Sequence, residues 1–248
     1  MYIIGDIGNT EIKICLVNNK YIKIKKILLK TNLISHTYIN KKLKFLKNKK
    51  IKFALLSSVV PYAYKKLEIF FKNKSKIPCT ELKKLNFSKL IKLKVNRAQV
   101  GSDRIANAIS VIDNKNNFIV VDFGTATTFD VIKKPGIYDG GVIAPGINLS
   151  IISLNLSTAL LPMLSLKSNA KSYGKNTKEA LNAGFLWGYK GLINNIIKKI
   201  TSSSKLNYKV ILTGGYSKLF KKHINIKSVI DNNITMKGII KVYKHFLL

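Results

Sequence analysis

One short pattern occurs twice in this chain, as Asp6-Ile7-Gly8-Asn9-Thr10 near the start and as Asp122-Phe123-Gly124-Thr125-Ala126-Thr127-Thr128 in the middle. Each copy follows one apolar run and precedes another, which predicts a tight turn between two strands. The residue types in the turn suit a phosphate group. Glycine allows close backbone approach, hydroxyls and N–H groups donate to phosphate oxygens, and a carboxylate can hold magnesium or its waters. Two such turns can clamp one nucleotide between two lobes. The conformational alternative for either copy is an ordinary hairpin, where Asp, Gly and Asn recur because they tolerate turn geometry.

The duplication favours two domains in a chain of 248 residues. Hydrophobic residues make up 46% of it and no long polar tract interrupts them, so a packed core is expected rather than disorder. Cys15 and Cys79 lie far apart, without CxxC spacing or a nearby histidine, and are read as free thiols in a reducing cytoplasm. No signal-like segment opens the chain, and no apolar run reaches the ~20 residues that span a bilayer. A soluble cytoplasmic protein with no membrane partner is expected.

The net charge of +33 invites a nucleic-acid reading. The lysines, however, are spread along the whole chain, alongside abundant isoleucine and asparagine, as in a chain drifting with an AT-rich genome. Arginine, the usual choice for bidentate recognition, stands only at Arg97 and Arg104. The charge is therefore read as a solvated surface, and nucleic acid is not the expected partner.

Alternation predicts strands over Tyr2 to Ile7, Glu11 to Val17 and Tyr21 to Leu29, then a basic helix over Lys41 to Lys50 and a buried strand over Ile51 to Val59 ending near Ser57-Ser58. Pro61 opens a helix to about Lys74. After Gly101-Ser102-Asp103-Arg104 a helix runs to about Val111, and the polar stretch Asp113 to Asn117 is taken as the boundary between domains 1–114 and 115–248. The second half repeats the opening with strands over Phe118 to Asp122, Thr127 to Ile132 and Gly141 to Ala144. Helices are expected over Asn148 to Leu161, Lys178 to Ile200, Tyr216 to His223 and Met236 to Phe246, with a strand over Lys209 to Thr213 and a turn at Gly214-Gly215.

Four motifs now stand in order: Asp6-x-Gly-Asn-Thr10, Gly101-Ser-Asp-Arg104, Asp122-x-Gly-Thr-Ala-Thr127 and Gly140-Gly-x-Ile-x-Pro-Gly146. In order and spacing the chain resembles the type III pantothenate kinases along essentially its whole length. The resemblance implies an α/β fold of two actin-like (RNase H-like) lobes with a nucleotide cleft between them. It also implies a homodimer and transfer of the ATP γ-phosphoryl group to the terminal hydroxyl of pantothenate, the first step of coenzyme A synthesis. A related kinase for another small substrate and a non-catalytic accessory factor that binds nucleic acid are the alternatives.

Residue by residue, the resemblance implies that Asp6, Ile7, Gly8, Asn9, Thr10, Glu11, Ile12 and Lys13 form the first ATP loop, with Asp6 near Mg2+. Asp103 becomes the general base, and Gly101, Ser102, Arg104 and Thr177 contact pantothenate. Thr125 binds ATP and Asp122 holds a monovalent cation, K+ or NH4+. Helix capping competes for Asp103 and for Thr177, and a surface ion pair for Arg104. The family usually places an aromatic residue and a proline just before its Gly-x-Asp-Arg motif, where this chain has Lys94-Val95-Asn96-Arg97-Ala98. His36, His223 and His245 are isolated, so a zinc site is not expected, and the absence of a GxxxxGK[ST] segment excludes a Walker-type loop.

Overall fold

Alternating and continuous apolar runs decide where the first sheet is buried. In the computed structural model, which describes residues 1–20, 23–46 and 49–247, strand β1 (Tyr2–Ile7) pairs antiparallel with β2 (Glu11–Val17), and β2 with β3 (Lys23–Lys30). Strands β4 (Ala54–Ser58) and β5 (Cys79–Glu81) run parallel to β1, giving the order β3-β2-β1-β4-β5. Ile3, Ile4 and Ile7 of β1 are fully buried, as a central strand covered on both faces requires.

Helix α1 (His36–Leu43) starts at Ser35, whose hydroxyl accepts from Tyr38 N at 3.1 Å. Helix α2 (Pro61–Ile69) opens on proline, whose missing N–H costs nothing in the first turn. It buries Ala63, Tyr64 and Leu67, and a wider turn over Phe70–Lys74 brings Phe70 and Phe71 into the same core. A two-residue strand β6 (Lys92–Leu93) precedes α3 (Ser102–Val111).

The second unit repeats the plan. Strands β7 (Asn117–Phe123), β8 (Ala126–Lys133) and β9 (Ile137–Pro145) form an antiparallel meander. Strands β10 (Tyr208–Gly214) and β11 (Ser228–Ile230) add in parallel, so β9-β8-β7-β10-β11 matches β3-β2-β1-β4-β5 position for position. Helices α4 (Ile147–Leu156), α5 (Thr177–Ser204) and α6 (Ser217–Lys221) complete it, with Ile119, Val121 and Phe123 packed among Leu186, Ile193 and Phe220.

Contacts divide the chain into Met1–Ile112 with Asn233–Leu248, and Asp113–Asn232. The break after Ile112 lies just before the polar stretch, two residues ahead of the boundary expected after 114, and helix α7 (Ile234–Leu247) groups with the first unit. Its Lys241 Nζ donates to the carbonyls of Ile109, Ser110 and Ile112 at 3.1, 2.9 and 3.0 Å, satisfying groups that the end of α3 leaves open. Tyr243 meets Tyr2 of β1 with ring centroids 4.7 Å apart.

Other departures are local. The helix expected over Lys41 to Lys50 begins earlier, at His36, because Ser35 supplies a cap, and it tightens to a 3-10 turn over Lys44–Leu46. Lys47 and Asn48 lie outside the described residues, as do Tyr21 and Ile22 of the third expected strand. Helix α4 stops at Leu156 instead of Leu161, since Thr158 turns its hydroxyl onto Leu154 O at 2.8 Å and Asn155 its amide onto Leu161 O at 2.7 Å. Strands β5, β6 and β11 were not foreseen.

Candidate active site

In the first unit β1, β4 and β5 end together, and their carboxyl ends gather the polar residues, as open α/β sheets do around ligands. Asp6 stands opposite Ser57 on β4, whose hydroxyl donates to Asp6 Oδ1 at 3.3 Å, and opposite Lys13 on β2. The turn between β1 and β2 is closed by Gly8 N donating to Glu11 O at 3.0 Å, which leaves Asn9 and Thr10 exposed at its tip. Thr31 fastens this turn from outside. Its N–H donates to Thr10 O at 3.1 Å and its hydroxyl to Gly8 O at 2.7 Å. Ile7 and Ile12 are fully buried, so only their backbone is available to a ligand.

Helix α3 begins beside these strand ends. Gly101 takes its N-cap position without a side-chain cap, Ser102 opens the helix, and Asp103 and Arg104 follow in its first turn. Asp103 Oδ1 accepts from Arg104 N at 2.8 Å. Burial pushes the Asp103 carboxyl above the usual range, against the lowering effect of that N–H and of the Arg104 charge. The carboxylate leans over Gly101, where a Cβ would lie 2.4 Å from Asp103 Oδ1 and 3.1 Å from Val59 Cγ1. Glycine is the residue that leaves this space open.

Ser102 departs from the expected role of its side chain. It is fully buried, and its hydroxyl lies against Ser58 O at 3.1 Å and against the Glu81 carboxylate, facing inward. Only its backbone is left for a substrate. Arg97 is likewise occupied: its guanidinium donates to the carbonyls of Lys83 and Leu85 and covers the Phe87 ring at 4.4 Å. Lys83 Nζ in turn donates to Ala98 O at 3.0 Å, so Arg97 and Lys83 together fasten the Lys94 to Ala98 segment to the stretch around Lys83 to Phe87.

In the second unit Asp122 on β7 is flanked in register by Thr128 on β8 and Thr213 on β10. The turn that follows is tight, with Gly124 N donating to Ala126 O at 3.1 Å and with Gly124 and Thr125 exposed. Two glycines press on it. A Cβ at Gly146, which opens α4, would lie 2.0 Å from Thr125 O, and one at Gly214 would lie 2.5 Å from Phe123 O. Gly214 also has φ +86°, and Gly215 N donates to Phe123 O at 3.1 Å. Thr127 points into the core, fully buried, and its Oγ1 has no hydrogen-bond partner among the described residues. It is not a side chain of the exposed turn. Thr177 is the exposed first residue of α5, whose cap is Asn176, with Oδ1 accepting from Glu179 N at 3.0 Å. Capping therefore leaves the Thr177 hydroxyl unused.

The structure thus brings Asp6, Ser57, Ser58, Glu81, Ser102 and Asp103 to one end of the first sheet, and Asp122, Thr125 and Gly146 to one end of the second. Sequence reading missed Glu81 and Thr31. The only available signal for Glu81 was the scarcity of carboxylates, 11 acidic residues in a chain of net charge +33. Among the described residues, no group of three or more His, Cys, Asp or Glu could hold a metal on its own. Any cation at Asp6 or Asp122 must take further ligands from hydroxyls, backbone, water or phosphate oxygens.

Paired sheets of this topology, each ending in a glycine turn beside a helix start, define an actin-like fold of the kind found in small-molecule kinases. An inorganic polyphosphate/ATP-glucomannokinase from Arthrobacter shares it with a TM-score of 0.51 over 98% of both chains at 12% identity. A Campylobacter jejuni protein assigned to the Baf transcriptional-activator family superimposes with a TM-score of 0.64 over 98% of both chains at 21% identity. The family model for type III pantothenate kinases matches residues 2–199. The type III pantothenate kinase of Pelagibacter ubique is 54% identical over 243 residues, 97% of this chain and 98% of that one. The chain belongs to the type III pantothenate kinase family.

Proposed function

We propose that the protein transfers the γ-phosphoryl group of ATP to the terminal hydroxyl of pantothenate, with Asp103 as the base that receives the hydroxyl proton. Beside family membership, the observation that carries the assignment is the Asp103 carboxylate. It is held over Gly101 in the first turn of α3, its pKa raised by burial, and set next to Arg104. A base with a raised pKa is better matched to proton transfer near neutral pH, while a loose phosphoryl-transfer transition state asks mainly for position and charge. Asp103 orients the acceptor hydroxyl and takes its proton as the bond to phosphorus forms. Arg104 has the planar fork to receive the pantothenate carboxylate, and the unused hydroxyl of Thr177 is a further contact for that substrate.

The turn from Asp6 to Lys13 presents backbone N–H groups, the side-chain amide of Asn9 and the hydroxyl of Thr10 to phosphate, with Lys13 offsetting its charge. Thr125, exposed in the turn after β7, offers its hydroxyl to ATP in the same way. Asp6 accepts from the Ser57 hydroxyl, and among the described residues no group of three or more His, Cys, Asp or Glu gathers there, a setting that suits Mg2+, which keeps waters and takes phosphate oxygens. Asp122 between two threonines offers oxygen ligands of the kind K+ or NH4+ uses. These cations would add positive charge near phosphate beside that of Lys13 in a chain with only two arginines.

A homodimer is part of this reading. Ile143 on β9, Leu149 and Leu156 on α4, Leu160 and Met163 are between half and nine-tenths exposed in one unit, the kind of apolar surface a second copy covers. Buried free thiols at Cys15 and Cys79, the latter pushed up to about 12 by burial, agree with a cytoplasmic setting. Among the described residues no helix is long and apolar enough to cross a membrane.

The test is phosphate transfer from ATP to pantothenate with Mg2+, comparing K+ or NH4+ with Na+. Cation-dependent 4′-phosphopantothenate supports both the reaction and the Asp122 role. Absence of product from folded protein overturns the reaction, and product formed equally in Na+ overturns the cation assignment.

A further inference from the structure

We infer that Glu81 is a positioning residue for phosphoryl transfer, acting through Ser102 to fix the first turn of α3 and hence the carboxylate of Asp103. The inference rests on the reading of Asp103 as the base. Glu81 ends β5, and each of its carboxylate oxygens has a separate task. Oε2 accepts from Lys83 N at 2.7 Å, capping the short turn over Leu82–Lys84, while Oε1 takes the hydroxyl of Ser102. Ser102 lies also 3.1 Å from Ser58 O, so one buried hydroxyl joins the ends of β4 and β5 to the first residue of the helix.

This arrangement answers a deficiency in α3. Its N-cap is a glycine with no side-chain acceptor, so nothing at that position fixes the direction in which the helix starts. The glycine is needed because the Asp103 carboxylate occupies the space a Cβ would fill. Glu81 supplies from a neighbouring strand the anchor that the cap cannot. Burial raises its carboxyl above the usual range, a cost that a chain poor in acidic residues accepts here against the hydrogen bonds from Ser102, Lys83 N and Ser58 N.

Steady-state kinetics of E81A, E81Q, S102A and E81A/S102A test this, with D103N in parallel. For a misplaced base, E81A and S102A should each lower kcat about 10- to 100-fold. The KM for ATP should stay within about twofold, because the loss concerns the chemical step and not nucleotide binding. Glutamine keeps one acceptor for Ser102 but sets its NH2 against Lys83 N, so E81Q should recover part of the loss. The double variant should be no worse than either single one, since both break the same link. Wild-type kcat in E81A, or in S102A should E81A not fold, overturns the proposal. So do additive losses in the double variant, or E81Q being as impaired as E81A. If D103N stays active, the base assignment itself falls, whereas an inactive D103N beside a fully active E81A sinks only the role of Glu81.

Discussion

The two glycine turns share a sequence pattern and are held in opposite ways. The turn after β1 is fastened by one residue, Thr31, whose side-chain hydroxyl and backbone N–H reach in from 23 and 21 residues away to Gly8 and Thr10. The turn after β7 is enclosed by backbone, with Gly146 and Gly214 packed so closely that no side chain fits. A side-chain staple can be removed at modest cost, while a backbone contact cannot be relaxed without moving an element. The same contrast separates Gly146 from Gly101, where an added methyl meets the movable end of Asp103 and the side chain of Val59.

Gly146→Ala should therefore do the most damage. Driving a methyl group into the Thr125 backbone costs about 3 kcal/mol or more, which lowers the melting temperature of a chain this size by roughly 6 to 12 °C. A melting curve unchanged by that substitution breaks the claim that backbone contact holds the second turn. Gly101→Ala should show the converse pattern. The Asp103 carboxylate yields its place, kcat falls about 100-fold, and the fold melts within about 3 °C of wild type. Equal damage to stability at both glycines erases the distinction.

Thr31→Val is the gentler case. Losing the bond to Gly8 O costs about 1 kcal/mol, or roughly 2 to 4 °C of melting temperature, and the loosened turn should raise the KM for ATP severalfold without changing kcat. A drop in kcat at constant KM would mean that Thr31 serves the reaction directly. The smallest effect concerns Asp103 itself. Because its pKa is raised in the folded protein, its contribution to stability is present at pH below the ordinary carboxylate value and is lost as pH rises through the raised one. Asp103→Asn should consequently melt no lower than wild type at neutral pH, with any gain vanishing in acid. The acid limb of the wild-type rate profile should lie above the ordinary aspartate range.

Much of this was legible because local chemistry speaks for itself. The strands Tyr2 to Ile7 and Glu11 to Val17 alternate or run apolar between turn residues, and Pro61 marks a helix start. Each depends on neighbours a few positions away, as do the glycine turns. What stayed hidden depends on distant partners. Strand β5 has three residues and no periodicity, so Glu81 could not be tied to Ser102, 21 residues later. Thr31 looked like any loop threonine. The final helix showed its amphipathic face, but only the fit of Lys241 to the end of α3 tells which unit that face meets. The inward turn of Ser102 and Thr127 was invisible too, because a motif names residue types and not the direction of their side chains.

The most direct test of the account is the rate of ATP-dependent phosphopantothenate formation by wild-type protein and by Asp103→Asn, both checked for folding by thermal melting. The account predicts transfer by the wild type and a loss of about 10²- to 10⁴-fold in kcat for the variant, the span a general base contributes, with melting preserved. A variant that still turns over at near wild-type rate would contradict it.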